Sequence, residues 1–204
     1  MNTIVNLRAF TNARHIPIVV FVDMQQEYIA APRLMAIPEI ERALANSRLV
    51  LDHARKIGLP VAFIRWVDRS PFFNKATPFF RWIDGFEPQR NEMVFERGQP
   101  SCYSNRDFSE LMEQSGGQMV LVGFAGESAC LSTMVDAFHR NHRAKYLIDA
   151  SASHELIGIA ADDVHFAVSR IAALYGDVLN TNAWISSKEL GEIDRGGHHA
   201  DRVR

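Results

Sequence analysis

Three side chains have the type and the position along the chain that small-molecule chemistry needs. Asp23 directly follows an apolar run, Arg97 follows a shorter one, and Cys130 lies just beyond a turn of small residues. A carboxylate in such a place can transfer a proton, and a guanidinium can hold an anion or tune the carboxylate. A thiol near a helix start can attack an acyl carbon. Each also has a structural interpretation, as a turn cap, a surface charge or a packed thiol.

The turn that begins at Gly123 is the predicted substrate socket. An apolar run of strand length precedes it and a helical pattern follows it. Its small residues let a ligand approach the backbone, and the free N–H groups of a helix start can hold an anion or a developing oxyanion. We therefore expect Phe124, Ala125, Gly126 and Ala129 to contact the substrate.

The elements that must position these residues follow from hydrophobic periodicity. Apolar runs of strand length alternate with helical patterns, which is typical of a parallel sheet with crossover helices. The sequence predicts an α/β fold, a doubly wound six-stranded parallel sheet with helices on both faces, and ligands in such sheets bind beyond the carboxyl ends of the strands. The predicted strands are 16–22, 61–64, 93–95, 119–122, 145–148 and 178–179, and the predicted helices are 38–57, 107–114, 129–142 and 162–175.

The segment 66–86 carries seven aromatic residues without a clear period. Long irregular segments are uncommon in compact domains unless they serve a function. Three interpretations remain open, namely a lid over the site, a subunit interface and plain core packing.

Composition narrows the class of function. The 204 residues carry a formal charge of -2 and 47% are hydrophobic, which suits one domain at 16–190 between an arm at 1–15 and a tail at 191–204. We expect neither nucleic acid nor a membrane as partner, because there is no basic field and no apolar run long enough to span a bilayer. The amino-terminal residues lack the apolar centre of a signal peptide, so we expect a cytoplasmic protein with both cysteines reduced.

Cofactors are not expected either. The glycine fingerprints of nucleotide-binding loops are absent. His198 and His199 lack acidic or thiol partners at ligand spacing, which favours a flexible end over a metal site there, and no histidine lies near Asp68 in the chain, so we predict no catalytic metal. The remaining expectation is an enzyme for a small-molecule substrate that needs no cofactor.

The order of these parts resembles the isochorismatase-like hydrolases, the superfamily that includes nicotinamidases and carbamoylases. The resemblance lies in Asp23 within VVFVDMQ, Arg97 within RGQPSCY, the turn VLVGFAGESAC and the later LIDAS, and it spans about residues 16–185. It implies a six-stranded parallel sheet, an active site of an Asp, a Lys and a Cys, and a cis peptide in the turn before the Cys. Together with the aromatic segment, it favours a symmetric homo-oligomer.

Two positions depart from the pattern of the cysteine-dependent members. Arg97 occupies the place of the family lysine, and it keeps the charge but cannot give up a proton. Six positions after Gly123 stands Ala129 rather than the nucleophilic cysteine, and Cys130 follows one step later, turned by about 100° on a helix. The true isochorismatases are similar here, and they are thought to hydrolyse a vinyl ether with the Asp protonating carbon.

Three hypotheses follow from the resemblance. The first, which the spacing favours, is a metal-independent hydrolase of a small anionic metabolite, with Asp23 as general acid or base, a cation at Arg97 and a Cys130 sulfur packed against helix and sheet. The second is an amidohydrolase with Cys130 as nucleophile. The third is a binding or assembly protein on the same fold.

Overall fold

The computed structural model describes residues 16–187, so the predicted arm at 1–15 and tail at 191–204 lie outside the described residues. Within them lie six strands and five α-helices. The strands are β1 (Ile18–Val22), β2 (Val61–Trp66), β3 (Met93–Arg97), β4 (Gln118–Gly123), β5 (Arg143–Ser151) and β6 (Asp177–Leu179). The helices are α1 (Glu41–Ile57), α2 (Arg106–Gln114), α3 (Leu131–His139), α4 (Ala161–Ala172) and α5 (Thr181–Ile185).

The strands form one sheet in the order β3-β2-β1-β4-β5-β6, and every neighbouring pair is parallel. The order reverses at β1, which pairs with β2 on one side and with β4 on the other. Such a reversal opens a crevice at the carboxyl ends of the two central strands. The predicted fold class is confirmed, and the crevice lies where Asp23 and the turn after β4 meet.

The core has two layers, one on each face of the sheet. Val19 and Phe21 of β1 pack into the layer with α1 and α5, and Val20 and Val22 pack into the layer with α2, α3 and α4. Successive side chains of a strand point to opposite faces, so a strand covered on both faces must be apolar at every position. This explains why β1 reads as a continuous apolar run.

Several element boundaries differ from the predicted ones for local reasons. Helix α1 begins three residues later than predicted because Glu39 has a φ of 52°, which a helix does not accept. Helix α3 ends at His139 because the chain turns at Asn141, whose φ is 58°. Strand β5 runs on to Ser151, with a register shift against β4. The last difference moves the carboxyl end of β5 by three residues.

The aromatic segment 66–86 serves more than one purpose. Phe80 and Phe86 are buried, and Phe86 packs against Phe21 of β1 with ring centroids 6.3 Å apart. Core packing is thus confirmed for part of the segment, whereas an interface role stays a prediction. No helix within residues 16–187 is long and apolar enough to cross a membrane.

Candidate active site

Asp23 is the first residue after β1, and it is fully buried. Its φ of 50° lies in the left-handed region, and its N–H donates to the Ile64 carbonyl at 2.7 Å. Burial raises the pKa of Asp23 to about 6, although the neighbouring Arg97 charge pulls it in the other direction. A carboxyl group with this pKa is part protonated near neutral pH, which is what a general acid requires.

Arg97 is the last residue of β3, and the sheet brings it to Asp23 across β2. Its Nη2 donates to Asp23 Oδ2, its Nη1 donates to the Gln99 carbonyl at 2.6 Å, and the guanidinium lies over the Trp66 ring at 4.6 Å. Among the described residues, Asp23 Oδ1 and Arg97 Nε have no hydrogen-bond partner. Buried polar atoms are normally paired, so these two atoms are candidates for contact with a ligand.

The turn after β4 passes very close to β1. Gly123 has a φ of 121°, and a Cβ at this position would lie 2.1 Å from the Val22 carbonyl oxygen. Only glycine fits such a place. The Phe124–Ala125 peptide is cis, as the resemblance implied, and residues Gly126–Cys130 form a single π-helical turn that leads into α3.

Cys130 faces away from the crevice. It is fully buried, with its Sγ 3.4 Å from the Gly123 carbonyl oxygen and 3.9 Å from the Ser151 hydroxyl. Burial raises the pKa of the Cys130 thiol, and it raises that of Cys102, also fully buried, to about 11. Both cysteines are free, and the prediction that the Cys130 sulfur packs within the protein is confirmed.

A cavity of about 220 Å³ lies beside Arg97. Of the predicted substrate contacts, Ala125 and Ala129 line it, whereas Phe124 and Gly126 do not. The Phe124 ring is fully buried in the core, and the missing Cβ of Gly126 points toward Tyr146, Ser153 and His165 behind the turn. Asp23 does not itself line the cavity, but it accepts a hydrogen bond from Arg97, which does. The other lining residues are Tyr28, Met35, Trp66, Asp68, Ser70, Phe72, Phe73, Glu127, Ser128 and His154.

The lining includes residues that the sequence analysis missed. Glu127 and His154 form an ion pair, with Oε1 and Nδ1 2.8 Å apart, and His154 Nε2 donates to the Met35 carbonyl at 3.1 Å. The sequence contains no signal for His154, because β5 ends at Ser151, three residues beyond the predicted strand end. Trp66, Phe72 and Phe73 form an aromatic wall of the cavity. For their segment, the sequence left a lid over the site open as one of three interpretations.

The cavity combines an aromatic wall with a protonatable carboxyl group behind a cation. Within residues 16–187, no group of three or more His, Cys, Asp or Glu side chains is arranged to hold a metal ion. Acid catalysis on a small molecule fits these side chains, since Arg97, Ser70 and Ser128 line the cavity and Arg97 joins it to the buried carboxyl group of Asp23.

Comparison with known proteins identifies the family. A family model of the isochorismatase domain matches residues 17–183. The chain belongs to the isochorismatase family. The secreted isochorismatase effector Isc1 of Verticillium dahliae is 25% identical over 177 residues, which cover 85% of this chain and 89% of that protein.

Solved structures of the isochorismatase family share the fold. An isochorismatase from Pseudomonas putida has a TM-score of 0.76 at 24% identity, over 84% of this chain and 91% of that chain. A cysteine hydrolase from Pseudomonas syringae has a TM-score of 0.79 at 17% identity, over 90% of this chain and 96% of that chain. Isochorismatase family members are hydrolases. At these identities the structures show the architecture rather than the substrate.

Proposed function

We propose that this isochorismatase family member hydrolyses a small anionic metabolite, with Asp23 as general acid and Arg97 as the cation that holds the substrate. The observation that carries the proposal is the buried Asp23–Arg97 pair, of which Arg97 lines the cavity. One oxygen of the carboxyl group has no partner among the described residues, so it can carry the proton that the reaction needs.

An anionic substrate would prime this acid by competing for its partner. Arg97 opposes the effect of burial and favours the carboxylate form of Asp23, since a nearby cation lowers the pKa of an acid. A substrate anion that takes a donor of Arg97 weakens this effect and adds a negative charge close to Asp23. Both changes favour the protonated carboxyl group, so substrate binding and proton uptake are coupled. Asp23 protonates the vinyl carbon, water adds to the resulting oxocarbenium carbon and gives its proton back to the Asp23 carboxylate, and collapse of the hemiketal breaks the C–O bond to release a carbonyl compound and an alcohol.

The cysteine mechanism has less support. A nucleophilic thiol needs access to the substrate and a lowered pKa. Cys130 is fully buried, burial raises its pKa, and Ala129 stands in its place at the cavity wall.

The non-catalytic alternative rests on one specific observation, the complete burial of Asp23. A carboxyl group that never meets the ligand would serve only as the counter-ion of Arg97. The protein would then bind a small molecule without transforming it.

The decisive experiment is hydrolysis of a panel of carboxylated vinyl ethers and carboxylated amides, followed by proton NMR. Turnover of vinyl ethers supports the proposal, and the Asp23→Asn variant should lose about a hundredfold or more of it, as expected when a general acid is removed. Asp68→Asn is the matched control, because Asp68 lines the same cavity but is exposed. Full turnover in folded Asp23→Asn would rule out the acid role.

Location and assembly stay predictions. The isochorismatase effector of Verticillium dahliae is described as secreted, so a cytoplasmic location needs its own measurement. A homo-oligomer is supported by exposed apolar side chains on neighbouring helices, namely Phe138 of α3 and Phe166 and Ile171 of α4. Light scattering would give the mass in solution, and a monomer at micromolar concentration would contradict this prediction.

A further inference from the structure

His154 has a bonding pattern that a neutral imidazole cannot satisfy. Its Nδ1 faces the Glu127 carboxylate at 2.8 Å and its Nε2 faces the Met35 carbonyl at 3.1 Å. A carboxylate and a carbonyl both accept hydrogen bonds, whereas a neutral imidazole has only one N–H to donate. Both contacts are hydrogen bonds only when the ring carries two protons and a positive charge.

These two contacts join parts of the chain that are far apart in sequence. Glu127 lies in the turn after β4, His154 lies just after β5, and Met35 lies in the irregular segment 30–36 after β1. Met35, Glu127 and His154 all line the cavity. The segment 30–36 is held elsewhere by Arg33, which pairs with Glu27 and donates to the Pro71 carbonyl at 2.9 Å.

We infer that His154 is a positioning residue of the candidate active site, which as an imidazolium clamps the segment 30–36 against the turn after β4. Glu127 supplies the charge that keeps the ring doubly protonated. The clamp closes the wall of the cavity at Met35 and thereby sets the space that a substrate can occupy. The inference rests on the proposed function only through this cavity, and its test needs no substrate, so either can fail without the other.

The charges around His154 agree with a protonated ring. Glu127 is its direct partner, Tyr28 contributes a ring with its centroid 5.7 Å away, and Arg97 and Asp68 line the same cavity. Burial by itself would lower the pKa of His154, but the bonds to Glu127 and Met35 outweigh it and raise the pKa above 6.5. The clamp is therefore complete at acidic pH and opens as the pH rises through the raised pKa.

The chain provides a matched control in His165. Its Nδ1 lies 3.0 Å from the Ser153 hydroxyl and its Nε2 lies 2.8 Å from the Ile148 carbonyl. A hydroxyl can donate as well as accept, so a neutral His165 ring satisfies both contacts. The two histidines thus share a geometry and differ only in whether the geometry demands a charge.

Hydrogen exchange measured by mass spectrometry tests the clamp. The informative amides are those of Ala36, which donates to the Arg33 carbonyl, and Ile37, which donates to the Tyr28 carbonyl. After correction for the intrinsic rate, we expect exchange in wild type to be slow at pH 6 and to accelerate above neutral pH. His154→Ala should exchange about tenfold or more faster at pH 6, as expected for the loss of one charge-assisted hydrogen bond. His165→Gln should leave this segment unchanged.

A second variant and a spectroscopic signature keep the test decisive if His154→Ala does not fold. Glu127→Gln removes the charge, so its exchange should accelerate at lower pH than in wild type. In long-range proton–nitrogen NMR spectra, both ring nitrogens of His154 should show the protonated signature at pH 6.5. A neutral His154 ring at that pH, or pH-independent exchange of the segment in wild type, would overturn the clamp.

Discussion

Asp23 and Cys130 lie on two sides of the crevice and are both fully buried, but burial has opposite effects on their reactivity. On one side Asp23 and Arg97 are buried together as a pair of charges. On the other side Cys130 is buried beside the Gly123 carbonyl and the Ser151 hydroxyl, which are both uncharged. Burial raises the pKa of both acids, but it brings the carboxyl group to about 6 and takes the thiol away from neutral pH.

The difference shows how one physical effect can create or remove reactivity. A carboxyl group starts with a pKa well below 7, so desolvation moves it toward the range where it can donate a proton. A thiol starts above 7, so desolvation moves it further from the reactive thiolate. The reactive side of this crevice is therefore the side of β1 and β3.

The largest expected effect concerns the stability of the charge pair. Asp23→Leu should lower the free energy of unfolding by about 3–5 kcal/mol, since it leaves the Arg97 charge buried without a partner. Arg97→Met should cost less, because a lone Asp23 can take up a proton and an arginine cannot release one. Urea unfolding at pH 7 gives both values.

The double variant Asp23→Leu with Arg97→Met is the control for this ranking. Removing both charges leaves no unpaired ion, so its stability should return to within about 1–2 kcal/mol of wild type. If the double variant is as unstable as the sum of the single ones, the two residues do not act as a pair.

The next effect is on the pH dependence of turnover. Asp23 as general acid is active when protonated, and its protonated fraction falls about tenfold per pH unit above a pKa of about 6. We therefore expect kcat/KM, which reports the free enzyme, to be about a hundredfold lower at pH 8 than at pH 5, with an inflection near pH 6. Initial rates with whichever vinyl ether is hydrolysed would check this. Residual turnover of Asp23→Asn without the inflection is the control, and a wild-type rate that rises through this range would exclude the acid role.

A smaller effect tests the close approach of the turn to β1. Gly123→Ala should destabilise the protein by about 1–3 kcal/mol or more, because the added Cβ needs a positive φ and meets the Val22 carbonyl. Gly58→Ala is the matched control, since Gly58 has a φ of 73° but nothing within 4 Å of an added Cβ. The excess cost at Gly123 in thermal unfolding isolates the contact. Equal losses would mean that strain alone accounts for both.

The smallest effect is expected at the thiol. Cys130→Ala should retain full turnover and lose about 1 kcal/mol of stability, the order expected for a small buried group. Iodoacetamide at neutral pH should label Cys130 of the native protein slowly, with Cys102 as internal comparison, because both are fully buried. Rapid, selective labelling of Cys130 with loss of activity would move the chemistry to the other side of the crevice.

The sequence predicts the parts of the site that depend on strand ends. Asp23 and Arg97 follow from apolar runs that stop at a charge, and parallel pairing brings such ends to one edge of the sheet. His154 cannot be predicted in this way. Strand β5 extends to Ser151, but the residues after Ile148 do not form an apolar run, so the sequence does not reveal where the strand ends. The pairing of Glu127 with His154 joins two loops, and loop conformation has no periodic signal in the sequence.

The turn after β4 shows a second limit of prediction from the sequence. Small residues indicate that a ligand can approach, but they do not indicate which of them face the cavity. Ala125 and Ala129 line it, the first just before and the second within the π-helical turn Gly126–Cys130, while Phe124 is part of the core. Ordinary helical spacing cannot anticipate such a turn.

The Asp23–Arg97 pair also constrains the order in which the protein can fold. The two residues are 74 positions apart, so β1 emerges from the ribosome long before β3. A nascent chain that packs β1 against β2 alone must either keep Asp23 protonated or leave that strand end in contact with water. The charge can be buried at neutral pH only after Arg97 arrives, so the candidate site cannot be complete before β3 has joined the sheet.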